Sequence, residues 1–313
     1  MYTRNNYIAA KEEIDARRNN ARALADARKA ELALISEDIR RIDEELGGTW
    51  LELFRVACSG GDLDAIKRKN AELQEKRKKI LVSLGYPEDY SDVHYTCSIC
   101  SDSGFVDTKM CSCLKGLLIT KNIESSGMGK LIEKQSFDNF DISDLTGDDK
   151  KRMEQNLAVA KKYAETFSGN GENLLLIGST GTGKTHLSTA IAKVVIHRGF
   201  DVIYDSVQNV INDFETDRFK SGYGQKENIS DKYLECDLLI IDDLGTEFVN
   251  QFTVSCLYNL LNTRQNKGLS TIISTNLSAG ELAGKYEGRI YSRIVGSDYR
   301  VLFFSGKDRR VNS

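Results

Sequence analysis

The sequence predicts an α/β protein built on a parallel five-stranded sheet between helices, and three observations carry that expectation. Five short apolar runs, residues 174–177, 202–204, 238–241, 271–274 and 301–304, recur through the C-terminal half, several of them β-branched. Segments of helical length, 184–197, 207–219 and 252–266, lie between them. Continuous apolar strands alternating with helices are the pattern of a parallel sheet covered on both faces. The third observation is a glycine-rich turn, residues 178–183, placed directly between the first strand and the helix that follows.

A chain of 313 residues, 40% hydrophobic and 28% charged, has room for that core and for smaller units before it. Its formal net charge of -3 argues against a protein that coats nucleic acid by bulk charge, and leaves a local basic patch as the way to bind it. Residues 1–30 are charged throughout, without the apolar core of a signal peptide, and no later stretch has the apolar length of a membrane span. A cytoplasmic protein with no membrane partner is expected. No internal repeat or low-complexity tract interrupts the chain.

Residues 1–88 read as a helical hairpin and partner-binding region. Leu32, Ile35, Ile39, Ile42 and Leu46 recur at alternating steps of three and four, which predicts one long amphipathic helix over 7–46, stopped by Gly47-Gly48. Residues 50–58 form a short turn of helix, and Ser59-Gly60-Gly61 punctuates again. A second periodic run with Leu63, Ile66, Leu73, Ile80 and Leu84 ends at Gly85-Tyr86-Pro87. The apolar stripes of the two helices either bury each other or offer a docking surface, since a two-helix unit has little core of its own.

Residues 89–118 form a cysteine module. Cys97-Ser98-Ile99-Cys100 and Cys111-Ser112-Cys113 are separated by ten residues, and seven cysteines in a reducing compartment are not expected as disulfides. Four thiolates at that spacing can close a tetrahedral Zn²⁺ site that is structural, because four protein ligands leave no open position. An iron–sulfur cluster and free thiols are the alternatives, and His94 is a possible substitute ligand. Residues 119–151 read as a polar linker before the sheet domain, 152–313.

Gly178-Ser179-Thr180-Gly181-Thr182-Gly183-Lys184-Thr185 fits G-x-x-x-x-G-K-[ST] at every fixed position, after a strand and before a helix. Backbone N–H groups of such a loop curl around phosphate oxygens; Lys184 reaches the β and γ phosphates and the Thr185 hydroxyl binds Mg²⁺. The run 238–241 delivers Asp242 and Asp243 at its C-terminal end, where open α/β sheets bind ligands. Asp242 is the expected Mg²⁺ partner, and Asp243 is placed to orient the attacking water. Asn276 ends the next strand; an Asn there is more often a turn residue, but its order after the Asp-Asp strand points to the γ-phosphate or the lytic water. Arg289, Arg293, Arg300, Lys307, Arg309 and Arg310 gather near the end of the chain, where arginine suits charge stabilisation in phosphoryl transfer and a solvated surface is the ordinary alternative.

These residues resemble the AAA+ loaders of bacterial replicative helicases, the DnaC and DnaI type, with the transposition helper ATPase IstB as a relative. The resemblance rests on residues 178–187, 240–245 and 274–276, on Gly288-Arg289-Ile290-Tyr291-Ser292-Arg293, and on Phe137-Asp138-Asn139-Phe140. It implies an AAA+ P-loop NTPase domain, here without room for a C-terminal lid, that binds and hydrolyses ATP. It implies Arg293 as an arginine finger reaching a neighbouring subunit's ATP, hence self-association through the ATP sites; Asn276 as sensor one; and Arg310, or else Arg309, as sensor two. Phe137 and Phe140 would lie by the adenine, His186 would join the nucleotide-binding set, and 207–219 would lie near DNA. The implied partners are a hexameric replicative helicase and single-stranded DNA. Two other readings stand beside it: an IstB-like transposition helper acting on double-stranded DNA, and a zinc-containing nucleotide-binding adaptor with little turnover. Asp243 stands where AAA+ ATPases usually carry Glu, which puts efficient hydrolysis in doubt.

Overall fold

The computed structural model describes residues 3–59, 63–220, 228–286, 288–296 and 298–306. The chain divides into two compact units, Lys11–Leu114 and a second one composed of Met1–Ala10 with Lys115–Ser313. No helix among the described residues is long and apolar enough to cross a membrane.

The first unit holds most of α1 (Arg4–Ile35), then α2 (Glu37–Ser59), α3 (Leu63–Ser83), the short strands β1 (Phe105–Val106) and β2 (Lys109–Met110), and the start of α4 (Ser112–Ser125). The helical region departs from expectation at its break. The helix expected over 7–46 stops at Ile35, because the Ser36 hydroxyl accepts the Ile39 N–H at 3.3 Å and Glu37 and Asp38 occupy the first turn of α2. Serine followed by acids is an N-terminus signal strong enough to restart a helix there. Gly47-Gly48 does not stop α2, and residues 50–58 belong to the same helix. A helical glycine costs about 1 kcal/mol relative to alanine, and packing against α3 offsets it. Arg77 pairs with Asp43 at 2.6 Å and donates to Ser91 Oγ at 2.8 Å, while Asn70 donates to Thr49 Oγ1 at 2.8 Å. These pairs run in opposite directions along α2 and α3, so the antiparallel hairpin is α2–α3 and α1 is a separate helix. Leu32, Ile39 and Leu81 bury one another, whereas Leu34 and Val82 remain exposed.

The second unit continues through α4 with α5 (Leu131–Lys134), α6 (Gly147–Thr166), β3 (Asn173–Gly178), α7 (Lys184–His197), β4 (Val202–Ser206), α8 (Val207–Lys220), α9 (Asp231–Glu235), β5 (Leu238–Leu244), α10 (Gln251–Asn266), β6 (Ser270–Thr275), α11 (Ala279–Lys285), α12 (Gly288–Ile294) and β7 (Tyr299–Phe304). The five strands β3 to β7 form one parallel sheet in the order β4-β5-β6-β3-β7. Alternate strand residues feed opposite faces. Leu174, Leu176, Ile240 and Ile272 pack with Ile191 and Val195 of α7, and Leu175, Leu239, Ile241 and Ile273 pack with Leu257 and Leu260 of α10. The five-stranded sheet between helices is as the sequence predicts. The stretch read as a polar linker instead contributes Met128, Ile132, Phe140 and Leu145 to the core. It is also fastened to the sheet edge: the Tyr204 N–H donates to the Ser126 carbonyl at 2.7 Å, and a Cβ at Gly127 would run into the Tyr204 carbonyl.

Asp201, just before β4, is 1% exposed, and neither of its carboxylate oxygens has a hydrogen-bond partner. Burial, and then the charge of Asp237, push its carboxyl up to about 7. The folded-state value lies above the unfolded one near 4, so between about pH 4 and 7 the unfolded chain binds fewer protons and stability falls as pH rises. Asp201→Asn is therefore expected to raise the melting temperature at pH 8, by an amount on the order of a few kcal/mol of stability, and to change it little at pH 4. Thermal denaturation at the two pH values checks this; an equal shift at both would contradict it.

Candidate functional site

The order of the sheet places β6 between β3 and β5, so the loop after β3 and the acids of β5 converge on the end of β6. The loop requires its glycines. A Cβ at Gly178 would strike the Phe304 carbonyl, and Gly183, at φ +99°, lies where an added Cβ would come 3.0 Å from the Phe140 ring. Lys184 opens α7 and is 5% exposed. Its Nζ donates to the carbonyls of Gly178 at 2.7 Å and Ser179 at 2.8 Å, and to Asn276 Oδ1 at 2.8 Å. The Thr182 hydroxyl ties the same loop by donating to the Ser179 carbonyl at 2.8 Å.

Across the cleft, the register of β5 against β6 slips between Ile241 and Leu244, and Asp243 takes φ +56°. This bulge separates the two acids: Asp242 stays buried and Asp243 turns to the surface. Asp242 accepts hydrogen bonds from three hydroxyls, those of Thr185 at 3.0 Å, Tyr204 and Ser274. Burial, and then the Asp242 carboxylate, hold the Tyr204 phenol well above its ordinary range, so it acts as donor. Ser274 Oγ also accepts the Asp243 N–H at 3.1 Å. Asn276 joins the two sides, accepting from Lys184 while its Nδ2 donates to Asp243 Oδ1 at 3.3 Å.

The structure thus brings Lys184, Thr185, Asp242, Asp243 and Asn276 together. Tyr204 and Ser274 were missed as site residues, since each meets Asp242 only because β4 and β6 flank β5.

The cleft encloses about 490 Å³ and is lined by Thr180, Gly181, Gly183, Lys184, Thr185, Asp243 and Asn276, with Leu131, Gln135, Phe140 and His186 completing the wall. His186 is held by the Ser136 carbonyl at 2.9 Å and Asn139 Oδ1 at 3.1 Å, and meets Phe140 edge-on at 5.1 Å. Phe137 is not brought to this cleft. The turn closed by Asn139, which accepts the Ser136 N–H at 2.8 Å, sends Phe137 toward Lys193, Val194 and His197 further along α7, with Lys161 6.0 Å from its ring. Arg293 of α12 is also elsewhere: it donates to Gln265 Oε1 and to Tyr258 OH, and lies 4.9 Å over the Tyr258 ring. Arg309 and Arg310 fall outside the described residues.

In the first unit the four cysteines meet. The buried Asp102 carboxylate accepts the N–H groups of Thr96 at 2.8 Å and Cys97 at 2.9 Å, bending the first knuckle, while the β1–β2 hairpin returns the chain so that the Cys111 N–H donates to the Gly104 carbonyl at 2.9 Å. The sulfurs of Cys97, Cys100, Cys111 and Cys113 all lie within 4.8 Å of one another, with Cys97–Cys111 at 3.8 Å and Cys100–Cys113 at 3.4 Å. A Zn–S distance of about 2.3 Å gives a tetrahedron with edges of roughly 3.8 Å, so the donor set fits a single tetrahedral ion. Burial alone would raise the Cys100 thiol, but the Gly104 amide and the neighbouring thiols bring it down to about 6, while burial and Cys100 push Cys113 far up. A readily formed thiolate among close thiols is the starting point for metal binding. His94 lies instead 3.1 Å from the Asp89 carbonyl.

Comparison with known proteins gives the family. The family described as IstB-like ATP binding protein matches residues 120–289, more than half of the chain. The replicative helicase loader DnaC of Escherichia coli (strain K12) is 24% identical over 190 residues, 60% of this chain and 75% of DnaC. The chromosomal replication initiator protein DnaA of Aliarcobacter butzleri is 30% identical over 137 residues, 44% of this chain and 30% of DnaA. Among solved structures, the DnaC helicase loader superposes with a TM-score of 0.49 at 22% identity, over 56% of this chain and 100% of that one. The chain belongs to the family of IstB-like ATP-binding proteins, the AAA+ family that includes the DnaC-type helicase loaders.

Proposed function

We propose that this protein binds and hydrolyses ATP to load a hexameric replicative helicase onto single-stranded DNA. The observation that carries the reading is the convergence of Lys184, Thr185, Asp242, Asp243 and Asn276 on one cleft at the C-terminal ends of parallel strands. The loop amides and Lys184 bind the triphosphate, the lysine exchanging its loop carbonyls for phosphate oxygens. Thr185 and Asp242 hold Mg²⁺, which neutralises charge on the phosphoryl group. Ser274 and Tyr204 fix the Asp242 carboxylate from the two neighbouring strands, so its oxygens are aligned in advance. Asp243, displaced outward by the bulge, orients water and takes its proton, with Asn276 holding the carboxylate in place. The shorter reach of Asp than of Glu makes turnover slow.

Arg293 faces Tyr258 and Gln265 rather than its own cleft, which suits a residue that serves a neighbouring subunit in an assembly made through the ATP sites. Arg293→Ala is expected to leave ATP affinity unchanged and to lower hydrolysis by about three orders of magnitude, measured by equilibrium binding and steady-state phosphate release. Intact turnover would remove the shared site. The four cysteines hold Zn²⁺ as a structural ion, and the unit Lys11–Leu114 engages the helicase.

The deciding experiment mixes the full chain with the purified replicative helicase of its host and single-stranded DNA. A complex that needs ATP and delivers helicase to the strand supports loading. Binding to a transposase on duplex DNA, with none to helicase, would support the transposition-helper reading instead.

A further inference from the structure

Asp243 takes a backbone conformation that residues other than glycine rarely adopt, φ +56°, and such a residue persists only where its surroundings over-determine it. Ser274 Oγ fixes its N–H, and its carbonyl accepts the Thr246 N–H at 3.2 Å and the Thr246 hydroxyl at 2.9 Å. The turn that follows, residues 244–247, is tied from two directions. Thr275 Oγ1 donates to the Leu244 carbonyl at 2.6 Å, while Lys285 of α11 donates to the carbonyl of Gly245 and, at 3.2 Å, to that of Glu247. The innermost fastening is the Glu247 side chain. The residue is 3% exposed; its Oε2 accepts the Gly245 N–H at 2.8 Å and its Oε1 accepts the hydroxyl of Tyr286, a fully buried residue at the end of α11.

A glutamate is rarely buried so deeply, because a carboxylate loses its hydration there, and an apolar side chain would fill the same space with less penalty. What the carboxylate adds is a pair of acceptors, one for the amide two residues beyond Asp243 and one for the ring that anchors the turn to α11. We infer that Glu247 is a positioning residue for hydrolysis: its carboxylate fixes the turn that keeps Asp243 in its left-handed conformation, and Tyr286 fixes the carboxylate. The inference rests on the reading of Asp243 as the group that orients water. Releasing the turn lets Asp243 relax toward negative φ and takes its carboxylate off Asn276 Nδ2. A displacement of about 1 Å is enough to slow an oriented reaction by about a hundredfold. Glu247 lies behind the cleft rather than in its wall, so the effect falls on turnover and not on nucleotide affinity.

The test uses the full chain and two replacements at one position. Glu247→Leu removes both acceptors while filling the space; Glu247→Gln keeps a carbonyl oxygen for the Gly245 N–H and can donate its amide to the Tyr286 hydroxyl. Wild type, both variants, and Asp243→Ala with and without Glu247→Leu are compared for Mg·ATP affinity by equilibrium titration and for phosphate release at saturating ATP. Glu247→Leu is expected to lower kcat by about tenfold or more with ATP affinity unchanged, and Glu247→Gln to recover most of the rate. Once Asp243 is alanine, Glu247→Leu is expected to have no further effect. Wild-type kcat in Glu247→Leu, a loss of affinity as large as the loss of rate, a glutamine no better than leucine, or the same loss in the Asp243→Ala background would each overturn the assignment and leave the ATPase reading standing. Where Asp243→Ala is inactive, the other comparisons decide alone. Wild type that turns over no ATP would remove both. Should Glu247→Leu fail to fold, Tyr286→Phe takes its place, since it deletes one hydroxyl from a ring whose packing is kept. A drop in kcat of about threefold or more at unchanged affinity supports the assignment, and wild-type kcat overturns it.

Discussion

Lys184→Ala is expected to abolish measurable ATP binding while leaving the protein folded. The ammonium is almost fully buried and satisfied by three oxygens, those of Gly178, Ser179 and Asn276. In the proposed function it serves twice, curling the loop before nucleotide arrives and meeting phosphate charge afterwards. Hydrogen bonds to charged groups contribute about 1.5–3 kcal/mol each, and loss of two such bonds to phosphate weakens binding by more than a hundredfold. Titration calorimetry with Mg·ATP reads the loss, and circular dichroism shows whether the sheet is retained. An affinity within threefold of wild type would mean that this cleft is not the triphosphate site.

Purified without chelators, the protein is expected to carry one zinc per chain, and Cys100→Ser or prolonged chelation is expected to unfold the module around residues 97–113. That segment has two strands of two residues each and two turns at positive φ, one before β1 with Ser101 and Asp102 and one between the strands with Asp107. Such a backbone has little to hold it besides the four sulfurs and Asp102. Structural zinc contributes on the order of 10–16 kcal/mol of binding free energy in comparable peptides, far more than so small a hairpin supplies. Elemental analysis gives the stoichiometry, and amide hydrogen exchange across the segment reports the unfolding. Zinc-free protein with the same exchange protection as untreated protein would remove the metal from the account.

The sheet domain was legible because its signals are local and redundant. Each strand carries a short apolar or β-branched run, the loop at 178–185 satisfies a motif with a mechanism, and Asp242-Asp243 directly follows four apolar residues. The helical region was legible in type but not in boundary. Gly47-Gly48 looked like a stop, yet Asp43 and Thr49 on either side of it are held by Arg77 and Asn70, partners more than twenty residues away that no local pattern reveals. Ser36 carried the true signal in its own hydroxyl and the two acids after it. The contributions of Tyr204 and Ser274 were hidden for a related reason: each hydroxyl matters only because strand order sets it beside Asp242, and strand order is not written in any single segment. Phe137 and Phe140, three residues apart, were separated by an Asn-closed turn that the apolar pattern alone does not show.

A parallel sheet has a working margin and an idle one, and here the two carry opposite kinds of carboxylate. Asp242 and Asp243 sit where strands end and keep company with hydroxyls and an amide; Asp201 sits where a strand begins, buried, with no hydrogen bond to its carboxylate oxygens and a second acid, Asp237, nearby. Robustness and chemistry can consequently be tuned apart in this protein. Replacing the secluded acid offers a hardier variant for biophysical work at alkaline pH with its triphosphate cleft untouched.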